Sequence, residues 1–144
     1  MPVSAAATAL ESQFVEVVKH VGPSVVLIRT NQGLGSGIVL DARGNIVTNN
    51  HVVANATSFQ VTLADGKQYP ARRVGAFPPD DLAVIHIDAT GLHPAAFADS
   101  SSLAVGDLAL AIGNPLGLRS SVTEGIVSAL GRTVNEDNGS PCPT

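Results

Sequence analysis

The sequence predicts an all-β fold built on a small antiparallel barrel, with a single helix at its N-terminus. Between residues 24 and 87, short segments rich in β-branched residues alternate with turn residues. Helical periodicity is confined to roughly the first 22 residues. Together these observations favour a barrel over an α/β architecture, in which helices would alternate with strands throughout the chain.

The N-terminal segment has the pattern of an amphipathic helix. From Ala5 to His20, apolar residues recur at helical spacing, and Gly22-Pro23 ends the pattern. We expect this helix to cover one end of the barrel. The segment has neither a basic region nor an apolar stretch adequate for a signal peptide.

Six strands are predicted to build the barrel. They are Ser24–Thr30, Ser36–Leu40, Ile46–Thr48, Phe59–Leu63, Gln68–Ala76 and Leu82–Ile87. Two further apolar strands, Leu108–Ile112 and Val122–Leu130, have no later strands to close against. We therefore divide the chain into a helical lead-in (1–22), a first β-barrel (23–97) and a third part (98–144). The third part comprises a linker, the opening strands of a second barrel and a truncated loop, which is the polar tail Thr133–Thr144.

Composition excludes several functional classes. A net charge of −4 with scattered arginines argues against a nucleic-acid surface, and no apolar stretch is long enough to span a bilayer. Cys142 is the only cysteine, so it cannot form an internal disulfide, and no Cys/His spacing indicates zinc. We expect neither a cofactor nor a metal.

A histidine and an aspartate at strand ends are the candidate catalytic residues. His51 follows the β-branched run Ile46-Val47-Thr48 after two asparagines, and Asp80-Asp81 opens another apolar strand. Such a pair is two thirds of a nucleophilic triad. Adjacent residues of an extended chain point to opposite faces, so only one of Asp80 and Asp81 can face His51. From residues alone, a catalytic His51 and an ordinary surface or core histidine are equally supported.

Several motifs, in order, resemble those of trypsin-like serine proteases of the HtrA (Deg) family. The similarity runs from about Val21 to Arg132 and is strong because the motifs recur together. The matching segments are Leu34-Gly35-Ser36-Gly37-Ile38-Val39, Gly44-Asn45-Ile46-Val47-Thr48-Asn49-Asn50-His51-Val52-Val53, Asp81-Leu82-Ala83-Val84-Ile85, Ala111-Ile112-Gly113-Asn114-Pro115-Leu116-Gly117 and Val122-Thr123-Glu124-Gly125-Ile126-Val127-Ser128-Ala129-Leu130-Gly131-Arg132.

The resemblance implies a trypsin-like double β-barrel, with the first barrel complete and the second only begun. It implies that His51 is the general base and that Asp81, directly before Leu82, is the triad acid, leaving Asp80 as a turn residue. It further implies an extracytoplasmic endopeptidase of unfolded or misfolded polypeptides, with a possible homotrimer as in the family. The chain is expected to stop before the nucleophile motif.

No serine has the context of the nucleophile. The family motif is Gly-Asn-Ser-Gly-Gly, whereas Asn138-Gly139-Ser140 is followed by Pro141. Ser36 lies in a predicted strand whose glycines permit close packing, and Ser100–Ser102 form a linker. We therefore expect this chain alone to be inactive, with a C-terminal segment of the protease as a partner.

Two other functions remain open at this level. A non-catalytic relative would bind proteins through exposed strand edges, and a metal site would combine His51 and Asp81 with another histidine. His86 alternates with Ile85 and Ile87 and is expected to face solvent, while His93 precedes Pro94 in a loop.

Overall fold

The structure is a six-stranded closed barrel preceded by a helix and followed by small two-stranded sheets. The computed structural model describes residues 5–113, 121–132, 134–135 and 141–142. The helices are α1 (Ala5–Val21) and the one-turn α2 (Asn50–Val53). The barrel strands are β1 (Val25–Thr30), β2 (Leu34–Val39), β3 (Asn45–Asn49), β4 (Phe59–Thr62), β5 (Gln68–Phe77) and β6 (Leu82–Ile87).

Outside the barrel, two pairs of strands form separate sheets. β7 (Leu108–Gly113) pairs with β8 (Ser121–Ile126), and β9 (Val134–Asn135) pairs with β10 (Pro141–Cys142). The predicted strand Val122–Leu130 is thus too long at its C-terminal end. The predicted polar tail contains a short ladder that turn chemistry and hydrophobic patterning did not reveal.

Barrel closure places strands distant in sequence beside one another. The order around the barrel is β1-β2-β3-β6-β5-β4, with β4 returning to pair with β1. All of these pairs are antiparallel. As a consequence, the end of β3 lies beside the start of β6, with Asn49 opposite Leu82.

The barrel interior is filled by aliphatic side chains that alternate along the strands. In β6, Ala83, Ile85 and Ile87 point into the core, as the period of two requires. The largest fully buried side chains are Leu27, Ile28, Ile46, Ile85, Ile87, Val26, Val39, Val53 and Val61. Burial of each such side chain stabilises the fold by roughly 1.5–3 kcal/mol relative to exposure. This core gives the strand ends a rigid support.

Helix α2 packs closely against strand β2. A Cβ added to Gly35 would lie 2.6 Å from Cγ1 of Val52, a distance that real Cβ contacts do not reach. Gly35 therefore allows the one-turn helix to approach the strand. The sequence predicted close strand packing or a bulge at Gly35-Ser36-Gly37, whereas Gly35 makes room for the helix on which His51 lies.

Helix α1 shares a groove with strand β7 of the second sheet, whereas the sequence predicted only that the helix covers one end of the barrel. Its apolar face and strand β7 together line a groove of about 380 Å³. The lining residues are Leu10, Gln13, Phe14, Val17, Val21, Leu108, Leu110 and Ile112. Several of these apolar side chains stay exposed, among them Leu10, Val17 and Leu108. No helix among the described residues is long and apolar enough to cross a membrane.

Candidate active site

His51 and Asp81 meet at one end of the barrel because their strands are neighbours. β3 ends at Asn49, and His51 is the second residue of α2. Asp81 immediately precedes β6. The β3–β6 pairing therefore brings together two side chains that are 30 residues apart in sequence.

Both oxygens of the Asp81 carboxylate bind His51. Nδ1 of the ring lies 2.6 Å from Oδ2, and the backbone N–H of His51 donates to Oδ1 at 2.8 Å. The Asp81 side chain is 16% exposed, whereas that of His51 is 61% exposed. The acid is thus held within the protein surface while most of the imidazole faces solvent.

Asp81 has a left-handed backbone conformation, with φ 51° and ψ 38°. It is the one non-glycine residue with positive φ among the described residues. It ends a 3-10 turn, Pro78–Asp80, so neither Asp80 nor Asp81 is extended. Asp81 is the aspartate that contacts His51, but the alternation argument that only one aspartate can face His51 assumed an extended chain, whereas a turn orients the carboxylate.

The backbone carbonyl of Asp81 is also held. It accepts a hydrogen bond from the backbone N–H of Asn50 at 2.8 Å and another from Nδ2 of Asn49 at 3.3 Å. The sequence indicated only turn chemistry at these asparagines. The available signal for a role of Asn49 was an asparagine directly before a helix, which usually caps that helix.

The hydrogen bonds of the pair outweigh the effect of burial on the acid. Burial raises the pKa of Asp81, but the backbone N–H and the ring of His51 hold the pKa of that carboxyl below its usual value. Since an ionised carboxylate only accepts hydrogen bonds, Nδ1 of His51 carries a proton. A neutral His51 ring in this arrangement therefore presents an unprotonated Nε2.

No serine hydroxyl among the described residues is hydrogen-bonded to His51. Ser36 lies half-buried in β2, where its carbonyl accepts from the hydroxyl of Thr48 at 2.8 Å. Ser100–Ser102 form a 3-10 turn capped by Asp99, whose carboxylate accepts from the Ser101 N–H. The interpretation of Ser140 falls outside the described residues.

The other histidines lie apart from this pair. His86 was expected to face solvent, but its side chain is only 16% exposed. Its two ring nitrogens contact Oδ1 of Asn45 at 3.1 Å and Oδ1 of Asp88 at 3.2 Å. His93 lines a cavity of about 350 Å³. In the part of the chain that the structure describes, no three His, Cys, Asp or Glu residues are grouped to hold a metal.

The buried acid, the exposed histidine and the barrel support are the features of a trypsin-like peptidase. Residues 35–142 match the family described as "Trypsin-like peptidase domain". The chain therefore belongs to the trypsin-like peptidase domain family, and the relatives that it resembles are of the HtrA (DegP) type.

Curated and solved relatives agree on that type. Over 108 residues, 73% of this chain, it is 52% identical to the periplasmic serine endoprotease DegP of Escherichia coli (strain K12) and 51% identical to DegP of Salmonella typhimurium (strain LT2). Among solved structures, it is similar to the HtrA-type protease AlgW with a tripeptide (TM-score 0.79, 35% identity) and to Deg5 (TM-score 0.79, 37% identity).

The matches extend over unequal shares of each relative. The alignment covers 23% of each of these two DegP proteins. The AlgW match covers 89% of this chain and 49% of that chain, and the Deg5 match covers 87% and 66%. The family is therefore established for this chain, while the relatives contain much that it does not span.

Proposed function

We propose that this chain supplies the general base and the orienting acid of a serine endopeptidase, His51 as the base and Asp81 as the acid. The observation that carries the proposal is the hydrogen bond between them, in which Nδ1 of a largely exposed ring lies 2.6 Å from the carboxylate. A histidine with a purely structural role would bury its ring or bond both nitrogens, as His86 does.

The geometry supports one course of proton transfer. A serine hydroxyl that reaches Nε2 of His51 transfers its proton there as its oxygen attacks the peptide carbonyl. Asp81 keeps the ring in the Nδ1–H tautomer and stabilises the imidazolium that forms. The imidazolium then returns the proton to the leaving amine. Each step uses the nitrogen that Asp81 does not occupy.

We assign the nucleophile to no serine of the described residues and propose that this chain alone does not cleave peptides. The serines in β2 and in the Ser100–Ser102 turn have structural contacts of their own. The site would be completed by the part of such a protease that carries the Gly-Asn-Ser-Gly-Gly turn and the remaining strands. Exposed apolar residues on β7 and β8, among them Leu108 and Ile126, support such an assembly.

We propose the substrate, compartment and assembly by analogy with the relatives. We propose unfolded polypeptide as the substrate, an extracytoplasmic location and a homotrimer. The periplasmic DegP relatives support the compartment, and the structure of AlgW with a tripeptide supports a peptide ligand. Sedimentation velocity of the purified chain tests the trimer, which a monomer at micromolar concentration would contradict.

The alternative, protein binding without catalysis through strand edges, is not favoured. Closure of the barrel leaves β1 to β6 without a free edge. A binding role also gives no reason for the left-handed Asp81 or for its hydrogen bond with His51. Saturable peptide binding that persists in His51→Ala would support this alternative.

Two measurements test the proposed activity. First, a fluorophosphonate probe, which reacts with activated serines, should leave the chain alone unlabelled. Second, the chain is produced together with the segment of E. coli DegP that follows the matched region, and cleavage of a permanently unfolded protein is measured. We expect cleavage by the assembled pair, reduced on the order of 10⁶-fold by His51→Ala and about 10⁴-fold by Asp81→Asn.

His93→Ala is the matched control, because His93 is an exposed histidine in a loop. It should leave cleavage near the wild-type rate. A stable assembly that cleaves nothing would refute the endopeptidase proposal. Labelling of the chain alone would instead show that one of its own serines is activated.

A further inference from the structure

We infer that Asn49 is a positioning residue, which holds Asp81 in the conformation that sets the tautomer of His51. The catalytic importance of Asn49 rests on the proposed function, whereas its effect on the His51 tautomer does not. It concerns the Asn49 amide, which donates from Nδ2 to the backbone carbonyl of Asp81 at 3.3 Å.

Asn49 occupies a capping position that it does not use. It directly precedes α2 and has extended backbone angles, φ −75° and ψ 142°, as N-cap residues do. Asparagine is among the best residues there, because its side-chain oxygen accepts from the second or third N–H of the helix. Here its side chain makes no such bond. The amide is turned toward Asp81 instead.

Asp81 takes over the capping of α2 from another part of the chain. Its carbonyl accepts from the N–H of Asn50 and its Oδ1 from the N–H of His51, the first two donors of the helix. A short helix whose end is capped in this way keeps its orientation relative to the acid. The same contacts require Asp81 to stay in its left-handed conformation.

That conformation is stabilised by its contacts. A left-handed backbone costs an L-residue about 1–2 kcal/mol, although aspartate adopts it more often than most residues do. The backbone N–H of Asn50 and the Nδ2 of Asn49 are the two donors to its carbonyl. The first is available to any residue at position 50, whereas the second depends on an amide at position 49. Asn49 therefore adds a side-chain constraint on the rotation that directs the carboxylate at Nδ1.

The effect should be visible in the ring of His51. Free imidazole exchanges its proton between Nδ1 and Nε2, and a carboxylate fixed at Nδ1 selects the Nδ1–H tautomer. Without the Asn49 donor, the Asp81 backbone relaxes and the carboxylate spends less time in place. We expect Asn49→Ala to lower the ratio of Nδ1–H to Nε2–H tautomers by roughly two- to tenfold, the range that one net hydrogen bond supplies.

The measurement is a long-range 1H–15N correlation spectrum of the histidine rings in the purified chain, at a pH where the rings are neutral. Ring nitrogen shifts report the tautomer without requiring the exchangeable proton to be seen. Asp81→Asn is the positive control and should abolish the selection. Asn50→Ala is the matched control, since it removes an amide one residue away and keeps the backbone donor.

Asn49→Ser separates positioning from capping. Serine caps a helix about as well as asparagine, but its hydroxyl is too short to reach the Asp81 carbonyl. If Asn49 positions Asp81, Asn49→Ser and Asn49→Ala should lower the tautomer ratio equally. This should hold even if Asn49→Ser unfolds at the same midpoint as the wild type. A wild-type ratio in Asn49→Ser or Asn49→Ala would overturn the inference. Failure of the assembled pair to cleave polypeptide would refute the proposed function and leave this result intact.

Discussion

At the scale of single residues, the structure depends on a few positions that leave no room for a side chain. Gly44 is one of them. It ends the turn between β2 and β3 with φ +101°, and an added Cβ would lie 2.0 Å from the carbonyl oxygen of Ile87. The N–H of Ile87 donates to the Gly44 carbonyl at 3.0 Å. The turn is thus hydrogen-bonded to the end of β6.

Gly44→Ala should destabilise the protein more than a left-handed alanine does by itself. We expect a loss of about 2–4 kcal/mol in the free energy of unfolding, from backbone strain together with the contact to Ile87. The matched variant is Gly66→Ala, where φ is +85° but the Cβ meets open space. It should cost only about 1–2 kcal/mol. Urea denaturation of both variants measures the difference, and equal losses would show that the contact relaxes without cost.

At the scale of elements, the β2–β3 turn is organised by one carboxylate. The Asp41 carboxylate accepts hydrogen bonds from the backbone N–H and the side-chain amide of Asn45. It also accepts from the backbone N–H of Arg43 and from two nitrogens of the Arg43 guanidinium. Side-chain and backbone bonds from Asn45, with those from Arg43, lower the pKa of Asp41 to about 2 from 3.8. Asn45 is itself bonded to His86 on β6. The turn and the neighbouring strand are therefore linked through polar side chains.

The lowered pKa of Asp41 predicts an acid-sensitive part of the stability. Because the folded-state pKa lies below the unfolded one, the carboxylate stabilises the fold fully above about pH 4 and loses this effect as the pH falls toward about 2. Asp41→Asn removes this pH-dependent stabilisation. Urea midpoints measured from pH 6 to pH 2 should fall less steeply in Asp41→Asn than in the wild type. Parallel curves would contradict this assignment.

At the scale of the whole molecule, stability is concentrated in the closed barrel. The side chain of Ile85 is fully buried in its core, whereas Leu108 on β7 is 59% exposed. We expect Ile85→Ala to lower the free energy of unfolding by about 2–5 kcal/mol and Leu108→Ala by less than about 1 kcal/mol. Circular dichroism during urea unfolding compares the two. Comparable losses would mean that β7 is packed in solution as tightly as the barrel.

Much of this architecture could be predicted from the sequence because local patterns determine it. Period-two alternation located the barrel strands to within about two residues, and Leu82–Ile87 coincides with β6. The choice of His51 and Asp81 as partners came from motif resemblance, and the structure brings the two into contact. Their catalytic roles remain a prediction.

The remaining features depend on contacts that no local pattern encodes. The left-handed Asp81 follows from a 3-10 turn and two donors from a distant strand end. The half-buried His86 is covered by Asn45 across the sheet, so alternation predicted its face but not its exposure. The contact of α1 with β7 joins segments nearly a hundred residues apart, beyond the reach of periodicity.

The neighbouring positions of β3 and β6 in the barrel also bear on how the protein folds. The chain between His51 and Asp81, which includes β4 and β5, must form a closed loop before β3 and β6 can pair. Non-local pairings of this kind follow a costly loop closure and slow the folding of β-rich proteins. We therefore expect the hydrogen bond between His51 and Asp81 to be among the later contacts to form. During synthesis, a chain that has not yet closed its barrel has no aligned histidine base, so the site matures only together with the fold.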